Sequence, residues 1–283
     1  MVKFGPSGNC DAFYDSGLKS TLDAPKWVYD HGLNAYEYSF ARGANVSDSH
    51  CTDLKAKFDK YNIEVSAHAP YYINFGNPSS ESEENSINYI LTSLQKLKLI
   101  GGKRLVVHIG SQGKLERGEV LQLIKDRLIR LHDLLVANGL ADMLVCIETM
   151  GKYSQIGSYQ EIIDLCKISP MYIPTFDFGH INCILQGGLK TKDDYINIIK
   201  YAINELGFDK IQKCHIHFSK IQYSKKGELK HLTFEDTEYG PEFMPLAEAI
   251  IETKIQPFII CESRGTQTMD AVAMKDMFNS IMK

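Results

Sequence analysis

The chain has 283 residues, of which 44% are hydrophobic and 23% charged, and its formal net charge is −4. This composition is typical of a globular protein with a large core, and the length suits one α/β barrel, so we expect a single domain over residues 1–283. A membrane-spanning protein is excluded because no apolar run reaches the roughly 18 residues that cross a bilayer, and any contact with nucleic acid must use local clusters of Lys and Arg.

The seven cysteines are odd in number and contain no Cys-x-x-Cys pair, which argues against a disulfide framework and against a thiolate zinc site. The N-terminus has no signal-peptide pattern. We therefore expect a cytoplasmic protein with no membrane partner. No sequence feature indicates an obligate protein partner.

Short apolar runs rich in β-branched residues recur along the chain and predict strands. The first two are at residues 3–5 and 35–38, and the other six are at residues 65–68, 105–108, 144–148, 173–177, 211–215 and 258–262. Helical periodicity between the strands predicts helices at residues 24–31, 52–61, 87–100, 124–135, 158–167, 192–206, 242–253 and 269–282.

This strict alternation of strand and helix predicts a parallel sheet of the α/β class, and its eight units favour a (β/α)₈ TIM barrel. The alternative is a doubly wound open sheet. That fold usually has a glycine-rich phosphate turn after its first strand, which residues 5–8 do not match. The loop at residues 227–239 is the longest interruption between a strand and its helix, and in a barrel it would overhang the active face.

Six predicted strands end on a side chain that can bind a metal ion, in the order His68, His108, Glu148, Asp177, His215 and Glu262. The carboxyl ends of barrel strands converge on one face, so these side chains should meet there. Carboxylate oxygen and imidazole nitrogen suit zinc or manganese. Glu148 has two oxygens and could bridge two ions about 3.5 to 4 Å apart, and His180 and His231 could hold a third.

The blocks at residues 68–74, 107–111, 147–149, 177–180, 215–217 and 261–263 resemble the metal-ligand blocks of the endonuclease IV family. These enzymes are the zinc-dependent apurinic/apyrimidinic endonucleases, family 2, of the xylose isomerase-like TIM-barrel superfamily. The resemblance implies two or three zinc ions, with manganese as the alternative. One would be held by His68, His108 and Glu148, a second by Glu148, Asp177, His215 and Glu262, and a third by His180 and His231.

The chain departs from the family pattern at the seventh strand. The family follows its histidine there with Asn-Asp, whereas this chain has Phe218-Ser219-Lys220. The family's Asp-x-His for the third ion is also missing, because Leu229 and Lys230 precede His231, and Glu228 is the candidate for the absent carboxylate.

Substrate contacts are assigned to side chains near the predicted strand ends, which are Arg42, Tyr71, His217, Lys220 and Arg264. His217 is two residues from His215 and so faces the same side of the sheet, as a site residue or as a hydrogen-bonded filler of the barrel. Glu37, at the end of the second predicted strand, is a weaker candidate.

The resemblance implies a hydrolase for DNA repair that cleaves DNA at abasic sites, with Glu148 and Glu262 as catalytic residues. The alternative is a metal-dependent sugar isomerase or epimerase on the same barrel, in which Glu148 and Glu262 exchange a proton beside a carbonyl. His68 and His108 favour the nuclease, because the epimerase needs only four ligands. The acidic net charge and the absence of recognisable DNA-penetrating loops favour the sugar enzyme.

Overall fold

A computed structural model describes residues 1–41 and 43–282. The strands are β1 (Lys3–Pro6), β2 (Ala35–Ser39), β3 (Glu64–His68), β4 (Arg104–Val107), β5 (Leu144–Glu148), β6 (Tyr172–Asp177), β7 (His215–Phe218), β8 (Ile221–Ser224), β9 (Gly227–His231) and β10 (Phe258–Cys261). The α-helices are α1 (Asp11–Asp15), α2 (Ala24–Asp30), α3 (Asp48–Tyr61), α4 (Ser80–Ile100), α5 (Arg117–Ala137), α6 (Tyr159–Cys166), α7 (Phe178–Ile184), α8 (Lys192–Leu206), α9 (Phe208–Ile211), α10 (Phe243–Thr253) and α11 (Gln267–Ile281).

Eight parallel strands form a nearly closed barrel in the order β1-β10-β7-β6-β5-β4-β3-β2. The seam between β1 and β2 is closed by a parallel bridge between Ser7 and Glu37 and by the Gly8 amide, which donates to the Glu37 carbonyl at 2.9 Å. The predicted TIM barrel is confirmed. The strands β8 and β9 lie outside it as an antiparallel hairpin.

The long helices begin and end where their sequences place caps. At the start of α4 the Ser79 side chain accepts from the Ser82 amide, and Gly101 ends the helix with a φ of 93°, which glycine adopts without strain. Its apolar residues recur every three or four positions, so one face of the helix is buried. This face consists of Ile87, Ile90, Leu94, Leu97 and Ile100.

The core has two parts. The larger lies between the outer faces of the strands and the helices, and smaller clusters lie inside the barrel. The inner clusters are Ala35 with Phe258 and Ile260, and Val106 with Cys146 and Ile173. All seven cysteines are buried and free. Nearer the carboxyl ends of the strands the inward-facing positions are polar, and the candidate site lies there.

Two features of the segment that follows α8 differ from the sequence prediction. The strand expected at residues 211–215 instead begins at His215, because Ile211 ends α9 and the Cys214 amide donates to the Ile211 carbonyl in a turn. The predicted loop at residues 227–239 begins with β9, so much of it is ordered as a hairpin with β8.

Within residues 1–41 and 43–282, no helix combines the length and apolar character needed to cross a membrane.

The closed seam depends on Gly5, whose backbone lies against Ala35. A Cβ added at Gly5 would lie 1.9 Å from the Ala35 carbonyl oxygen. We predict that Gly5→Ala lowers the free energy of unfolding by about 2 kcal/mol or more, because the strands must separate. Urea unfolding measures the change.

The control is Gly118→Ala in the first turn of α5, where no described atom lies within 4 Å of the added Cβ. This variant should be as stable as the wild type or more stable by up to about 1 kcal/mol. Equal stability of both variants would contradict the close packing at the seam.

Candidate metal-binding site

Strand ends bring the candidate ligands to the carboxyl face of the barrel. His68, Glu148 and Asp177 end β3, β5 and β6. His108 and Glu262 directly follow β4 and β10. Parallel strands in a barrel point the same way, so these side chains meet at one end.

The described residues form four groups whose ligand atoms lie within 4.8 Å of one another. We call them the bis-histidine group (His68, His108 and Glu148), the carboxylate group (Glu148, Asp177, His217 and Glu262), the hairpin group (His180, Glu228 and His231) and the buried group (Glu37, His215 and His217).

The bis-histidine group directs two ring nitrogens at one carboxylate oxygen. Nε2 of His68 lies 3.3 Å and Nε2 of His108 lies 2.9 Å from Oε2 of Glu148. Nδ1 of His68 donates to the Ala69 carbonyl at 2.8 Å. Because a neutral imidazole has one ring proton, this hydrogen bond leaves Nε2 of His68 free to bind an ion.

The carboxylate group uses the other oxygen of Glu148. Nδ1 of His217 lies 3.1 Å from Oε1 of Glu148 and 3.5 Å from Oε2 of Glu262. Oδ1 of Asp177 accepts from the His180 amide, whereas Oδ2 is buried, accepts no hydrogen bond among the described residues and lies 3.2 Å from Nδ1 of His180. A buried carboxylate oxygen without a partner is costly, and a cation at this point would satisfy it. The donor set therefore fits a divalent ion.

The hairpin group lies at the mouth of the barrel. Nε2 of His180 lies 3.5 Å from Glu228, and Nε2 of His231 lies 3.8 Å from the same carboxylate. Nδ1 of His180 donates to the Thr149 carbonyl at 2.9 Å, and Nδ1 of His231 lies 2.8 Å from the Ser219 hydroxyl. Both rings thus turn Nε2 towards Glu228, the carboxylate that the sequence left as a candidate.

His215 does not lie where the sequence prediction put it. It is fully buried one layer deeper in the barrel, and its Nε2 lies 3.0 Å from Oε2 of Glu37. His217 occupies the position beside Glu148 and Glu262 instead. The reason is the register of β7, which begins at His215, so that the second inward-facing residue, His217, is the one near the carboxyl end.

The pKa values of several site residues are shifted because carboxylates and imidazoles are buried close together. Burial opposes the charged form of Glu148, but the charges of His217 and His108 and hydrogen bonds from both rings outweigh it and hold the pKa of Glu148 well below its usual value. Burial likewise opposes protonation of His68 and His180. Nearby carboxylates outweigh it, above all Glu148 for His68 and Asp177 for His180, and raise the pKa of each ring to about 9.

Two of the residues assigned to substrate lie at the site. A cleft of about 330 Å³ opens over the groups and is lined by Tyr71, Lys152 and Glu262 among others. Arg264 lines an adjoining depression of about 430 Å³ with Lys230. Tyr71 is exposed, as its predicted role requires.

Of the other three assignments, Lys220 and His217 have other contacts, and Arg42 is not tested. Lys220 is buried, and its Nζ contacts Glu242 and the Asp236 carbonyl, both at 2.7 Å, so it fastens a loop instead of facing the cleft. His217 belongs to the carboxylate and buried groups. Arg42 lies outside the described residues.

Sequence reasoning undervalued Glu37, which is 1% exposed and contacts both His215 and His217. Burial opposes its ionisation, but the charge of His217 and the close approach of the His215 and His217 rings hold the pKa of Glu37 well below its usual value. A carboxylate near the end of an otherwise uncharged strand was the available signal.

A family model described as a xylose isomerase-like TIM barrel matches residues 25–278 of the chain. The chain therefore belongs to the xylose isomerase-like TIM barrel family, and the resemblance to this superfamily is confirmed. A protein of Listeria monocytogenes named "Probable endonuclease 4" is 28% identical over 265 residues, which cover 84% of this chain and 84% of that protein.

Solved structures of two different enzyme classes are similar to the chain. Endonuclease IV from Thermus thermophilus has a TM-score of 0.73 at 17% identity, covering 99% of this chain and 98% of that one. A D-tagatose 3-epimerase-like protein has a TM-score of 0.71 at 19% identity, covering 99% and 97%. At these identities the likeness concerns the fold alone, and it is equally strong for the nuclease and the epimerase.

The two histidines of β7 can be separated by metal content. We predict that His217→Gln lowers the content by about one ion per chain, because it removes a nitrogen from the carboxylate group. His215→Gln should keep every ion, since His215 reaches Glu37 and not Glu148. Elemental analysis of protein loaded with zinc and then dialysed gives the count. Loss of an ion in His215→Gln, but not in His217→Gln, would instead support His215 as the metal ligand that the sequence predicts.

Ion binding should release protons. His68 and His180, with pKa values of about 9, are protonated at neutral pH before an ion binds, and an imidazole must lose a proton to become a ligand. The apparent zinc affinity should therefore rise from about pH 7 to about pH 9 and then level off. Competition with a chromophoric chelator at several pH values measures it. His68→Gln should release about one proton fewer, and an affinity independent of pH would contradict the scheme.

Proposed function

We propose that the chain is a phosphodiesterase that uses two or three divalent cations, zinc or manganese, and cleaves DNA at abasic sites. The observation that carries the proposal is the position of Glu148 between two sets of ligands. Its Oε2 faces the rings of His68 and His108, and its Oε1 faces Nδ1 of His217. A carboxylate whose oxygens face different ligand sets suits a bridge between two ions, which is the arrangement used in phosphoester hydrolysis.

The fixed orientation of the rings supports a cluster of several ions. Nδ1 of His68 and of His180 donates to a backbone carbonyl, so in each neutral ring Nε2 is the ligand atom. These contacts hold the rings before any ion arrives. Such cations would withdraw charge from a phosphate and lower the pKa of a nearby water.

The residues of the cleft suit the remaining steps. In the hydrolysis, a water oxygen bonds to phosphorus, the bond from phosphorus to the 3′ oxygen breaks, and that oxygen receives a proton. Glu262 lines the cleft and is more exposed than the fully buried Glu148, so it can accept a proton from water. Glu148 would contribute by holding the ions that stabilise the charge on the phosphate. Lys152, Lys230 and Arg264 provide local positive charge for the phosphate backbone of DNA.

The relative named "Probable endonuclease 4" supports the same proposal, because the match covers 84% of both chains. The hairpin adds support from within this chain. Glu228 lies near both His180 and His231, so a third ion would have an oxygen ligand there despite the missing Asp-x-His.

A sugar isomerase or epimerase is the second candidate, and two observations favour it. The carboxylate group by itself has the three carboxylates and one imidazole that a single-ion enzyme needs. The cleft of about 330 Å³ is also of the size that holds a small ligand. In that reaction Glu148 and Glu262 would move a proton at a carbon beside a carbonyl, and the bis-histidine group would have no assigned task.

Incision of a labelled duplex with one abasic site distinguishes the two candidates. We predict cleavage by the metal-loaded protein, abolished by a chelator and restored by zinc, because the cluster supplies the charge that the phosphate needs. Duplex binding should weaken steeply with added salt, because the contacts are with phosphates. An undamaged duplex of the same sequence is the control.

A panel of ketoses in deuterated water is assayed in parallel. Deuterium exchange into a ketose, without incision by the same metal-loaded preparation, would reject the nuclease in favour of the isomerase or epimerase.

A further inference from the structure

A second layer of polar residues lies beneath the candidate ligands, inside the barrel. Its centre is Glu37, the third residue of β2, whose side chain points to the barrel axis and is 1% exposed. The Ser66 hydroxyl donates to Oε2 of Glu37 at 2.8 Å. His215 and His217 lie on the opposite wall, 3.0 Å from Oε2 and Oε1 respectively. Nothing in the proposed reaction uses this carboxylate directly.

The two nitrogens of His217 face different surroundings. Nδ1 faces Oε1 of Glu148 at 3.1 Å, among the candidate ligands, and Nε2 faces Oε1 of Glu37 at 3.0 Å. A metal-binding imidazole has one unprotonated nitrogen and one N–H. A carboxylate is a strong acceptor for that N–H. Glu37 therefore favours the ring form in which Nε2 carries the proton and Nδ1 binds the ion.

Glu37 is itself held in place. Oε2 takes the Ser66 hydrogen bond and the His215 contact, while Oε1 is left for His217. The His215 ring stacks on Phe258 with centroids 5.2 Å apart, which fixes its direction. Neither ring contact to Glu37 meets hydrogen-bond geometry, although Nε2 of His215 and Nε2 of His217 each lie 3.0 Å from a carboxylate oxygen. Ser66 therefore holds Glu37 by a hydrogen bond, and the rings of His215 and His217 hold it by close contact.

We propose that Glu37 is a positioning residue that makes Nδ1 of His217 the ligand atom, with Ser66 and His215 holding the carboxylate in place. This inference rests on the proposed function only in taking His217 as a metal ligand. Such partners of a ligating histidine raise its basicity, and their loss costs about 10- to 100-fold in metal affinity. His215, predicted from the sequence as a ligand, acts instead through Glu37.

The other interpretation is that Glu37, His215 and His217 coordinate a separate buried ion, since their ligand atoms also lie within 4.8 Å. Two observations count against it. All three side chains are at most 1% exposed and none of them lines the cleft, whereas Glu262 of the carboxylate group does, so an ion would have no open path to the buried group. Oε2 of Glu37 already accepts a hydrogen bond from Ser66.

Glu37→Gln tests the proposal with little change of shape. The amide is a weaker acceptor, and its NH₂ group repels an N–H of either histidine. We expect the affinity for one ion to fall about 10- to 100-fold, with the other ions bound as in the wild type. Zinc titration against a chromophoric chelator measures the affinity for each ion. In cobalt(II)-loaded protein the absorption bands of that ion should shift, a change that a general loss of stability would not produce.

The matched control is Glu83→Gln. Glu83 is a partly buried carboxylate on α4 that pairs with Arg127 and Arg130 and belongs to none of the four groups. It should leave all zinc affinities and the cobalt spectrum unchanged. Should Glu37→Gln fail to fold, Ser66→Ala removes one support of the same carboxylate and should weaken the same ion by a smaller factor.

Unchanged affinities and spectrum in Glu37→Gln, or in Ser66→Ala if that variant is used, would overturn the proposal. Complete loss of one ion in both Glu37→Gln and His215→Gln would also overturn it, in favour of a buried ion that these residues ligate. Both readouts are independent of DNA cleavage. A protein that never incises DNA, but whose zinc affinity falls in Glu37→Gln, would keep this inference and reject only the nuclease.

Discussion

The electrostatic balance at the carboxyl face of the barrel governs the rest of this structure. Glu37, Glu148 and Asp177 are each at most 1% exposed, and Glu262 lies beside them. Ionised carboxylates are costly to bury unless each has a cationic or hydrogen-bonding partner. Imidazoles are the partners of the carboxylates here. A protonated ring can lose its proton and bind a divalent ion instead. The contacts that satisfy the buried carboxylates are therefore the same ones that an ion would replace.

The barrel tolerates this cluster because its stability has another source. The helices pack on the outer faces of the strands through a continuous apolar layer, which includes Phe176, Ile216 and Phe218 of β6 and β7. The same strands place Asp177 and His217 inside. Alternation along a strand thus separates the residues that hold the barrel together from those that form the site. Because of this division, substitution of a candidate metal ligand can alter ion binding while leaving the outer core intact.

The sequence predicted the fold well because the required information is local. Each strand is a short apolar run, and each of the eight predicted helices coincides with an observed one. Residues that end strands could also be assigned to one face. The exception was β7, where Ile211 and Cys214 extended the apolar pattern backwards, and a shift in its start moved the assignment from His217 to His215. Period-two patterns alone do not fix where a strand begins.

Contacts between distant segments were harder to predict. Glu228 reaches His180 only because the hairpin folds over the barrel mouth, where the Glu228 amide donates to the Gly151 carbonyl at 2.8 Å. Lys220 looked like a DNA contact by its charge and position, yet Glu242 binds it from a later segment. Glu37 gained its importance from β7, far away in the chain. In each case the decisive partner lies on another element, and periodicity along one element carries no information about it.

The hairpin also connects the choice of substrate to the metal cluster. Glu228 and His231 belong to the hairpin group, while Lys230 between them lines the depression beside the cleft. A substrate that contacts Lys230 would touch β9, the same strand that carries Glu228 and His231. A DNA strand would extend beyond the cleft and contact the hairpin, whereas a small sugar can lie within the cleft over the carboxylate group. The hairpin is therefore the element whose contacts should differ most between a nuclease and an epimerase on this barrel.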